Sequence, residues 1–409
     1  MTPPNDQTPP GQHAPGDVLA LSTIRRFTSR DVDAFEIPGG REEDWRFTPL
    51  KRLHGLHDGT ARHSDNGVYG RPTGELAGGA VQVQVVPSGH EALGLAVAPA
   101  DRVAAQAWCA FTSALLVTVP RDVDVEQPVT VQVTGPGQGR TTYGHVAIHA
   151  GRFSRATVVV DYRGSGTYAE NVEVVTEDGA DLTVLFLHEW DDDAVHVSAH
   201  HTLLGAASRL RHVVVTLGGD LVRISPTLTF THPRAEAELN GLCFAQHGQH
   251  LEHRPIADHA APDCTSRVNY KCAAHGSSAR SVWLGNALVR IGADGTDTFE
   301  ANRNILLSKD ARADAVPSLE IEISNIRRAG HESATGRFDD EQLFYLMSRG
   351  IPEPEARRLV LRGFFDDVIR RIGVPALEEH IRDVIERRLT HIGQAAVGAQ
   401  PVAVNAIAG

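Results

Sequence analysis

Polar and apolar residues alternate with a period of two from Val117 to about Ile323. Clear examples are the segments 129–133, 145–149 and 211–215. This period places successive side chains on opposite faces of a β-strand. No helix-length amphipathic segment interrupts the region, which argues against a fold that alternates helices with parallel strands. The sequence therefore predicts a mainly β protein.

A loose repeat within this region indicates how the strands are arranged. Small residues precede apolar strands at Ala156, Ala180, Ala207 and Ala237, with spacings of roughly 24, 27 and 30 residues. Such spacings are close to one coil of a parallel β-helix, in which inward side chains fill a narrow core. A β-sandwich or jelly roll is the competing interpretation, because the repeat has no fixed motif.

Helical patterns flank the strands. From Asp339 the period becomes helical, and we expect a first helix that ends near Arg349 and a second that has Pro354 in its first turn. The region before the strands is partly helical. The predicted boundaries are a disordered tail at 1–15, a partly helical domain at 16–115, a β-helix core at 116–337, a helical domain at 338–394 and a flexible tail at 395–409.

Composition excludes several classes of function. The formal net charge of -12 disfavours nucleic-acid binding. The longest apolar stretch, Ala107 to Val119, is interrupted and too short to cross a membrane. The N-terminal residues lack the pattern of a signal peptide, so we expect a cytoplasmic protein. Four cysteines in a chain of this length do not indicate a disulfide scaffold.

Common catalytic motifs are missing from the sequence. No lysine follows a glycine, so the chain has no phosphate-binding P-loop and we expect it to bind no nucleotide. It contains no Gly-x-Ser-x-Gly elbow, no His-Glu-x-x-His helix and no Cys-x-x-Cys pair. The missing P-loop predicts that the chain is not itself an ATPase.

Several histidines and cysteines are candidate metal ligands. Cys264, Cys272 and His275 form no recognised zinc spacing, so buried structural thiols are the favoured interpretation. The histidines of the strand region are interpreted as mainly solvated, with a metal site as the alternative; they are His196, His200, His247, His250 and His253. His331 stands out because it precedes the acidic start of a helix, and imidazole binds iron, copper or zinc.

Motifs spread along the chain, in their order and combination, resemble the SufB/SufD family of iron–sulfur cluster assembly scaffolds. They span the chain from about Arg41 to Ile372. The matching segments are Glu42–Leu50, Ile224–Leu228, Leu239–Leu242, His253–Arg254, Asp258–His259, Cys264–Arg267, Gly285–Val289, Asn302–Ser308 and His331–Ile351.

This resemblance implies a fold and a role. The fold is a central right-handed parallel β-helix between N-terminal and C-terminal helical domains. The role is that of a non-catalytic scaffold subunit that pairs with a SufB-like subunit through the β-helices. The resemblance also implies that the C-terminal helices bind a SufC-like ATPase, and that a transient iron–sulfur cluster or iron is held at the subunit interface.

The resemblance also suggests which branch of the family the chain is similar to. SufB proteins have a cysteine in the strand matched here by Asn302–Ser308, and this chain has Asn302 or Arg303 at the matching position. A thiolate that could accept sulfur is therefore missing there. Together with the Trp45 motif, this favours a SufD-like subunit.

The same matches imply site residues. His331 is the expected metal or cluster ligand, with Glu332 beside it. Glu341, Gln342, Tyr345 and Arg349 are expected to lie on the first C-terminal helix and to contact the ATPase. Two alternatives stay open at this point: a homodimeric SufB-like scaffold, and a β-helix enzyme that acts on carbohydrate.

Overall fold

The computed structural model describes residues 27–64, 69, 80–337 and 340–397. The predicted tail at 1–15 lies outside the described residues, as does 398–409. The final helix continues to Val397, beyond Ala395, where the flexible tail is predicted to begin.

Eighteen strands and four α-helices follow one another along the described chain. The strands are β1 (Gln82–Pro87), β2 (Ser113–Val119), β3 (Val129–Thr134), β4 (Thr141–Ala150), β5 (Arg155–Gly164), β6 (Thr167–Thr176), β7 (Asp181–Trp190), β8 (Val195–Leu204), β9 (Arg209–Thr216), β10 (Leu221–Phe230), β11 (Glu236–Ala245), β12 (His250–His253), β13 (Ile256–His259), β14 (Thr265–Ala274), β15 (Arg280–Val289), β16 (Asp297–Leu306), β17 (Arg312–Ile321) and β18 (Arg328–Arg337). The helices are α1 (Arg102–Ala110), α2 (Asp340–Ser348), α3 (Glu353–Arg370) and α4 (Pro375–Val397), with 3-10 turns at Val32–Ala34 and Leu50–Leu53.

The strands form a parallel β-solenoid of about eight coils, which confirms the predicted β-helix and shows that the sandwich interpretation was wrong. One sheet contains ten strands and the other eight. From β2 and β3 onward all strand pairs are parallel, and Arg155 pairs with Asp181 while Thr265 pairs with Asp297. The register therefore advances by one coil about every thirty residues.

The two ends of the solenoid differ. At the N-terminal end, β1 runs antiparallel to β2 and covers the edge of the ten-stranded sheet. Tyr69 forms an isolated antiparallel bridge with Val133 on β3, the first strand of the eight-stranded sheet. At the C-terminal end, β17 pairs with β15 and β18 pairs with β16. Within the described residues no strand pairs with the far side of either β17 or β18.

Inward side chains of successive coils stack into a continuous core. Val158 and Val184 are register partners that are both fully buried, as are Val160 and Phe186. Each fully buried side chain of this size stabilises the fold by about 1.5–3 kcal/mol. This stacking explains why polar and apolar residues alternate along the strands, since every second side chain enters the same narrow interior.

The N-terminal region packs on the outer face of the ten-stranded sheet through a buried ion cluster. Glu252 on β12 accepts from Arg223 (3.1 Å) and Arg254 (3.3 Å). Its second oxygen accepts from the Thr48 hydroxyl at 2.8 Å. Arg254 also contacts the Asp44 carboxylate at 2.6 Å. The segment around Trp45 is therefore attached to the solenoid by charge as well as by apolar contact.

The C-terminal helices α3 and α4 cover the outer face of the eight-stranded sheet. Phe365 and Ile369 of α3 belong to one buried cluster with Leu242 and Phe244 of β11. Lys271 on β14 adds an ion pair to the Asp367 carboxylate at 2.6 Å. None of the helices within the described ranges combines the length and apolar character that crossing a bilayer requires.

Candidate functional site

The open C-terminal end of the solenoid carries the residues that the sequence singled out. His331 and Glu332 lie in β18, six and five residues before the end of that strand, and both are exposed. The expectation that His331 immediately precedes a helix was wrong, because the strand continues to Arg337. Pairing along the whole of β16 holds this Gly-, Ala- and Ser-containing segment extended.

An inward-facing row of β18 stacks on the corresponding row of β16. The Ser333 hydroxyl donates to the Asn302 side-chain oxygen at 3.3 Å. The Asn304 amide donates to the Thr335 hydroxyl at 3.1 Å. Because alternate residues share a face, His331 belongs to this same row. β18 belongs to the last coil, and within the described residues no further coil covers its inward-facing row. His331 therefore occupies a position that would be buried in an earlier coil, but here it is exposed.

Glu300 is the register partner of His331 on β16 and is almost completely buried. Neither of its carboxyl oxygens has a hydrogen-bond partner within the described residues. Burial raises the pKa of Glu300 to about 8, because the charged form loses its hydration. The carboxyl group is therefore mainly protonated at neutral pH, one coil below His331.

Glu332 lies on the other face of β18. Its carboxylate accepts from the Arg303 guanidinium at 3.2 Å, and both side chains are about half exposed. Arg303 is one of the two residues that match the position of the SufB cysteine. The other residue, Asn302, is fully buried. Arg303 and Glu332 therefore form a charged pair at the surface of the last two coils.

A groove of about 750 Å³ separates these last coils from α3. Arg303, Ile305 and Ala334 line it from the strands, and Leu359 and Phe364 line it from the helix. Its lining is largely apolar with charged residues at the strand side. This groove connects the open end of the solenoid with the C-terminal helices.

Helix α2 exposes large apolar side chains. Leu343 is buried, whereas Phe344 is 72% exposed and Tyr345 is 56% exposed. Arg349 packs its guanidinium over the Tyr345 ring at 5.1 Å. Arg349 follows the helix rather than lying in it, since α2 ends at Ser348. Of the remaining predicted contact residues, Glu341 is exposed, and the side chain of Gln342 lies outside the described part of the structure.

The cysteines and histidines of the strands are mostly inside the solenoid. Cys264 and Cys272 are both buried; Cys264 is a free thiol as predicted, whereas Cys272 is joined to Cys243 in a disulfide, so its interpretation as a thiol was wrong. The interpretation of the strand histidines as solvated was wrong for the four that are almost fully buried: His196, His200, His250 and His253. Within the described residues, one set of three potential metal ligands comes together, formed by Cys243, His253 and Cys272.

Sequence reasoning missed Glu300 and the pairing of Cys243 with Cys272. Both are set by the register between coils, which depends on turn lengths that vary along the chain. The detectable signal was the position of Glu300 thirty-one residues before His331, close to one coil. Likewise the two cysteines are separated by 29 residues.

Comparison with known proteins gives consistent matches. Residues 133–364 match the family model described as SUF system FeS cluster assembly, SufBD core domain. An iron–sulfur cluster assembly SufBD family protein of Mycobacterium leprae is 53% identical over 379 residues, which cover 91% of this chain and 96% of that protein. A SufBD family protein of Mycobacterium tuberculosis is 52% identical over 388 residues, covering 93% of this chain and 97% of the relative. The iron–sulfur cluster assembly protein SufD of Bacillus subtilis is 27% identical over 281 residues, covering 66% of this chain and 63% of that protein.

Proposed function

We propose a function for this chain from the premise that it belongs to the SufBD family of the SUF system for iron–sulfur cluster assembly. Within that system we assign it the role of a non-catalytic, SufD-like scaffold subunit in the cytoplasm. It would pair with a SufB-like subunit and bind a SufC-like ATPase. The single observation that carries this proposal is the open end of the solenoid, where two unpaired strand edges meet an exposed histidine.

The strand edges favour pairing with a second β-solenoid. β17 and β18 are ten residues each, and their outer edges carry no strand within the described residues. Unpaired edges present backbone N–H and C=O groups that readily add another strand. The partner subunit in this proposal covers both edges and continues the two sheets.

The interface formed in this way would hold the nascent cluster, which is cargo rather than a resident cofactor. His331 faces the partner from the last coil, so one ring nitrogen can bind iron of the cluster or iron delivered before it. Glu332 lies next to it and is held by Arg303. A ligand from each subunit would make cluster retention depend on pairing.

The exposed apolar face of α2 is the proposed docking surface for the ATPase. Phe344, Tyr345 and Met347 are all substantially exposed within one short helix. Such a patch on a soluble domain indicates a protein interface. Arg349 and Glu341 supply charge at its edge. The ATPase provides the nucleotide chemistry, for which this sequence has no P-loop.

The alternatives have less support. A self-sufficient SufB-like scaffold would need a sulfur-accepting thiol near the open end. Neither β16 nor β18 contains a cysteine. A carbohydrate-active enzyme receives no support from the relatives, which are named for cluster assembly. The negative net charge also fits poorly with acidic polysaccharide substrates.

The test is co-expression of the chain with its SufB-like and SufC-like partners, followed by anaerobic reconstitution and assay of bound iron and sulfide. We expect the His331→Ala variant to form the complex but to lose most of the cluster, because the substitution removes an imidazole ligand of iron. The matched control is His232→Ala, which removes an exposed imidazole at a distant turn. Unchanged cluster loading in His331→Ala would contradict the ligand role. Failure of the wild-type chain to form any complex would contradict the whole proposal.

A further inference from the structure

Three potential metal ligands from different strands meet inside the solenoid, two coils below its open end. Cys243 on β11 and Cys272 on β14 are register partners with Cα atoms 4.6 Å apart. His253 comes from β12 in the other sheet. The two Sγ atoms and one ring nitrogen of His253 all lie within 4.8 Å of one another. Each of the three residues is at most 1% exposed.

The imidazole of His253 is held by one nitrogen and leaves the other without a protein partner. Its Nε2 contacts the Thr216 hydroxyl at 2.8 Å. Its Nδ1 is buried and has no hydrogen-bond partner within the described residues. An unpartnered buried nitrogen costs on the order of 1–3 kcal/mol. The hydrogen bond to Thr216 fixes the orientation of the imidazole, as a hydrogen bond to one ring nitrogen does in metal-binding histidines.

The donor set identifies the class of ligand. Two thiolates and one imidazole suit soft or borderline cations, and zinc is the common example. The three residues are far apart in sequence, so they match no zinc motif; coil stacking brings them together instead. We propose that Cys243, His253 and Cys272 bind one thiophilic divalent cation, of which Zn²⁺ is the representative, when both cysteines are reduced.

The oxidised form of the same site excludes the cation. In the structure the two cysteines are joined as a disulfide, which offers no thiolate. A dithiol reductant would transfer two electrons and two protons to the sulfurs, break the S–S bond and close its own disulfide. Zn²⁺ would then displace the two thiol protons to solvent as the two S–Zn bonds form. Metal and disulfide are therefore alternative states of one site.

The other two cysteines have different surroundings and serve as internal controls. Cys264 contacts the backbone carbonyls of His232 and Pro262 at 3.3 and 3.4 Å. Cys109 is exposed on α1. Neither belongs to the three-residue cluster. The proposed metal site is also independent of the scaffold function, since it requires neither partner subunit.

The experiment uses the purified full-length chain. One sample is reduced with dithiothreitol, separated from the reductant without oxygen, and incubated with ZnCl₂; a second sample is kept oxidised. After desalting, zinc is measured by mass spectrometry, and Co²⁺ replaces Zn²⁺ in parallel to detect thiolate-to-cobalt charge-transfer absorption. We expect about one zinc per reduced chain and essentially none per oxidised chain.

Variants separate this site from other thiols. Cys243→Ser and Cys272→Ser should each lose the zinc and the charge-transfer band. The double variant Cys109→Ser/Cys264→Ser should retain both. Alkylation under denaturing conditions should label two of the four cysteines in the oxidised chain and all four in the reduced chain. Circular dichroism establishes that each variant is folded.

Two results would overturn the proposal. One is a reduced, folded wild-type chain that retains no more zinc than Cys272→Ser. The other is retention of zinc and the cobalt band in both serine variants, which would assign the metal elsewhere. If the serine variants do not fold, the wild-type chain alone decides: zinc must raise the thermal midpoint of the reduced form and leave that of the oxidised form unchanged.

Discussion

Replacing Glu300 with glutamine should stabilise the protein, and more so as the pH rises. The pKa of Glu300 is raised from 4.5 to about 8 by burial. Between these values the folded chain keeps a proton that the unfolded chain releases, so the free energy of unfolding falls as pH increases. Each pH unit in this window costs about 1.4 kcal/mol. At pH 7 the accumulated cost is on the order of 3 kcal/mol.

Glutamine has nearly the same shape and cannot ionise. The variant Glu300→Gln should therefore unfold at a higher urea concentration than wild type at pH 7, and the gap should widen further at about pH 8. Near pH 4.5 the two proteins should be similar, because the unfolded carboxyl group is then largely protonated too. Above the folded pKa the gap should stop growing.

The measurement is the urea midpoint by circular dichroism at several pH values between about 4.5 and 9. Glu91→Gln is the matched control, because that carboxylate is exposed and its replacement should leave the midpoint nearly unchanged. An equal pH dependence in wild type and Glu300→Gln would refute the reasoning. So would a variant that is less stable than wild type at pH 8.

Two further changes test the attachment of the N-terminal region and the ATPase surface. Glu252→Gln should lower the free energy of unfolding by about 3–5 kcal/mol, because Arg223 would stay buried without its carboxylate partner and Arg254 would keep only Asp44. A thermal melt measures this, and a midpoint like that of wild type would contradict it. Phe344→Ala should weaken binding of the SufC-like ATPase about tenfold or more in a titration, because a central aromatic contact is lost. Phe153→Ala, which removes a ring that is 64% exposed on the solenoid, should bind normally, and equal affinities of the two variants would count against the α2 surface.

The solenoid was predictable because its physical cause is local. Period-two alternation reflects one inward row per strand, and segments such as 129–133 and 211–215 fall in β3 and β9 as expected. Ala180 and Ala207 lie just before β7 and β9 as expected, whereas Ala156 and Ala237 are the second residues of β5 and β11. The alanine repeat therefore marks the beginning of a strand to within about two residues. These features depend on residues that are close in sequence, so they can be predicted without knowing the register between coils.

The buried histidines were misinterpreted because polar residues rarely fill a core unless they satisfy one another. His200 and His212 share a ring-nitrogen contact of 2.9 Å inside the solenoid, although the other nitrogen of each ring has no hydrogen-bond partner within the described residues. Burial lowers the pKa of His212 to about 3, so it stays uncharged there. No local pattern distinguishes such a residue from a solvated histidine. Whether a histidine is buried or solvated is decided by how the coils stack.

The site was predictable in part. The resemblance singled out His331 and Glu332, and both lie in the last strand on opposite faces, with Arg303 paired to Glu332; their role as ligands stays a prediction. Glu300 could not be found in the same way, because its pairing with His331 follows from register across a turn of variable length. The same reason hid the proximity of Cys243 to Cys272. Long-range pairing is decided by tertiary structure rather than by the properties of each strand.

The unequal ends of the solenoid also affect how copies of such a chain could join. If both ends were bare, copies could join head to tail without closing, which is the geometry of a fibre. Here the antiparallel β1 and the bridge at Tyr69 occupy the starting end. The edge strand β1 runs in the opposite direction to the strands that follow it, so the starting end does not repeat the parallel edges of β17 and β18. Joining the finishing end of one copy to the starting end of another would therefore not continue the parallel pairing of the coils, which disfavours open head-to-tail growth.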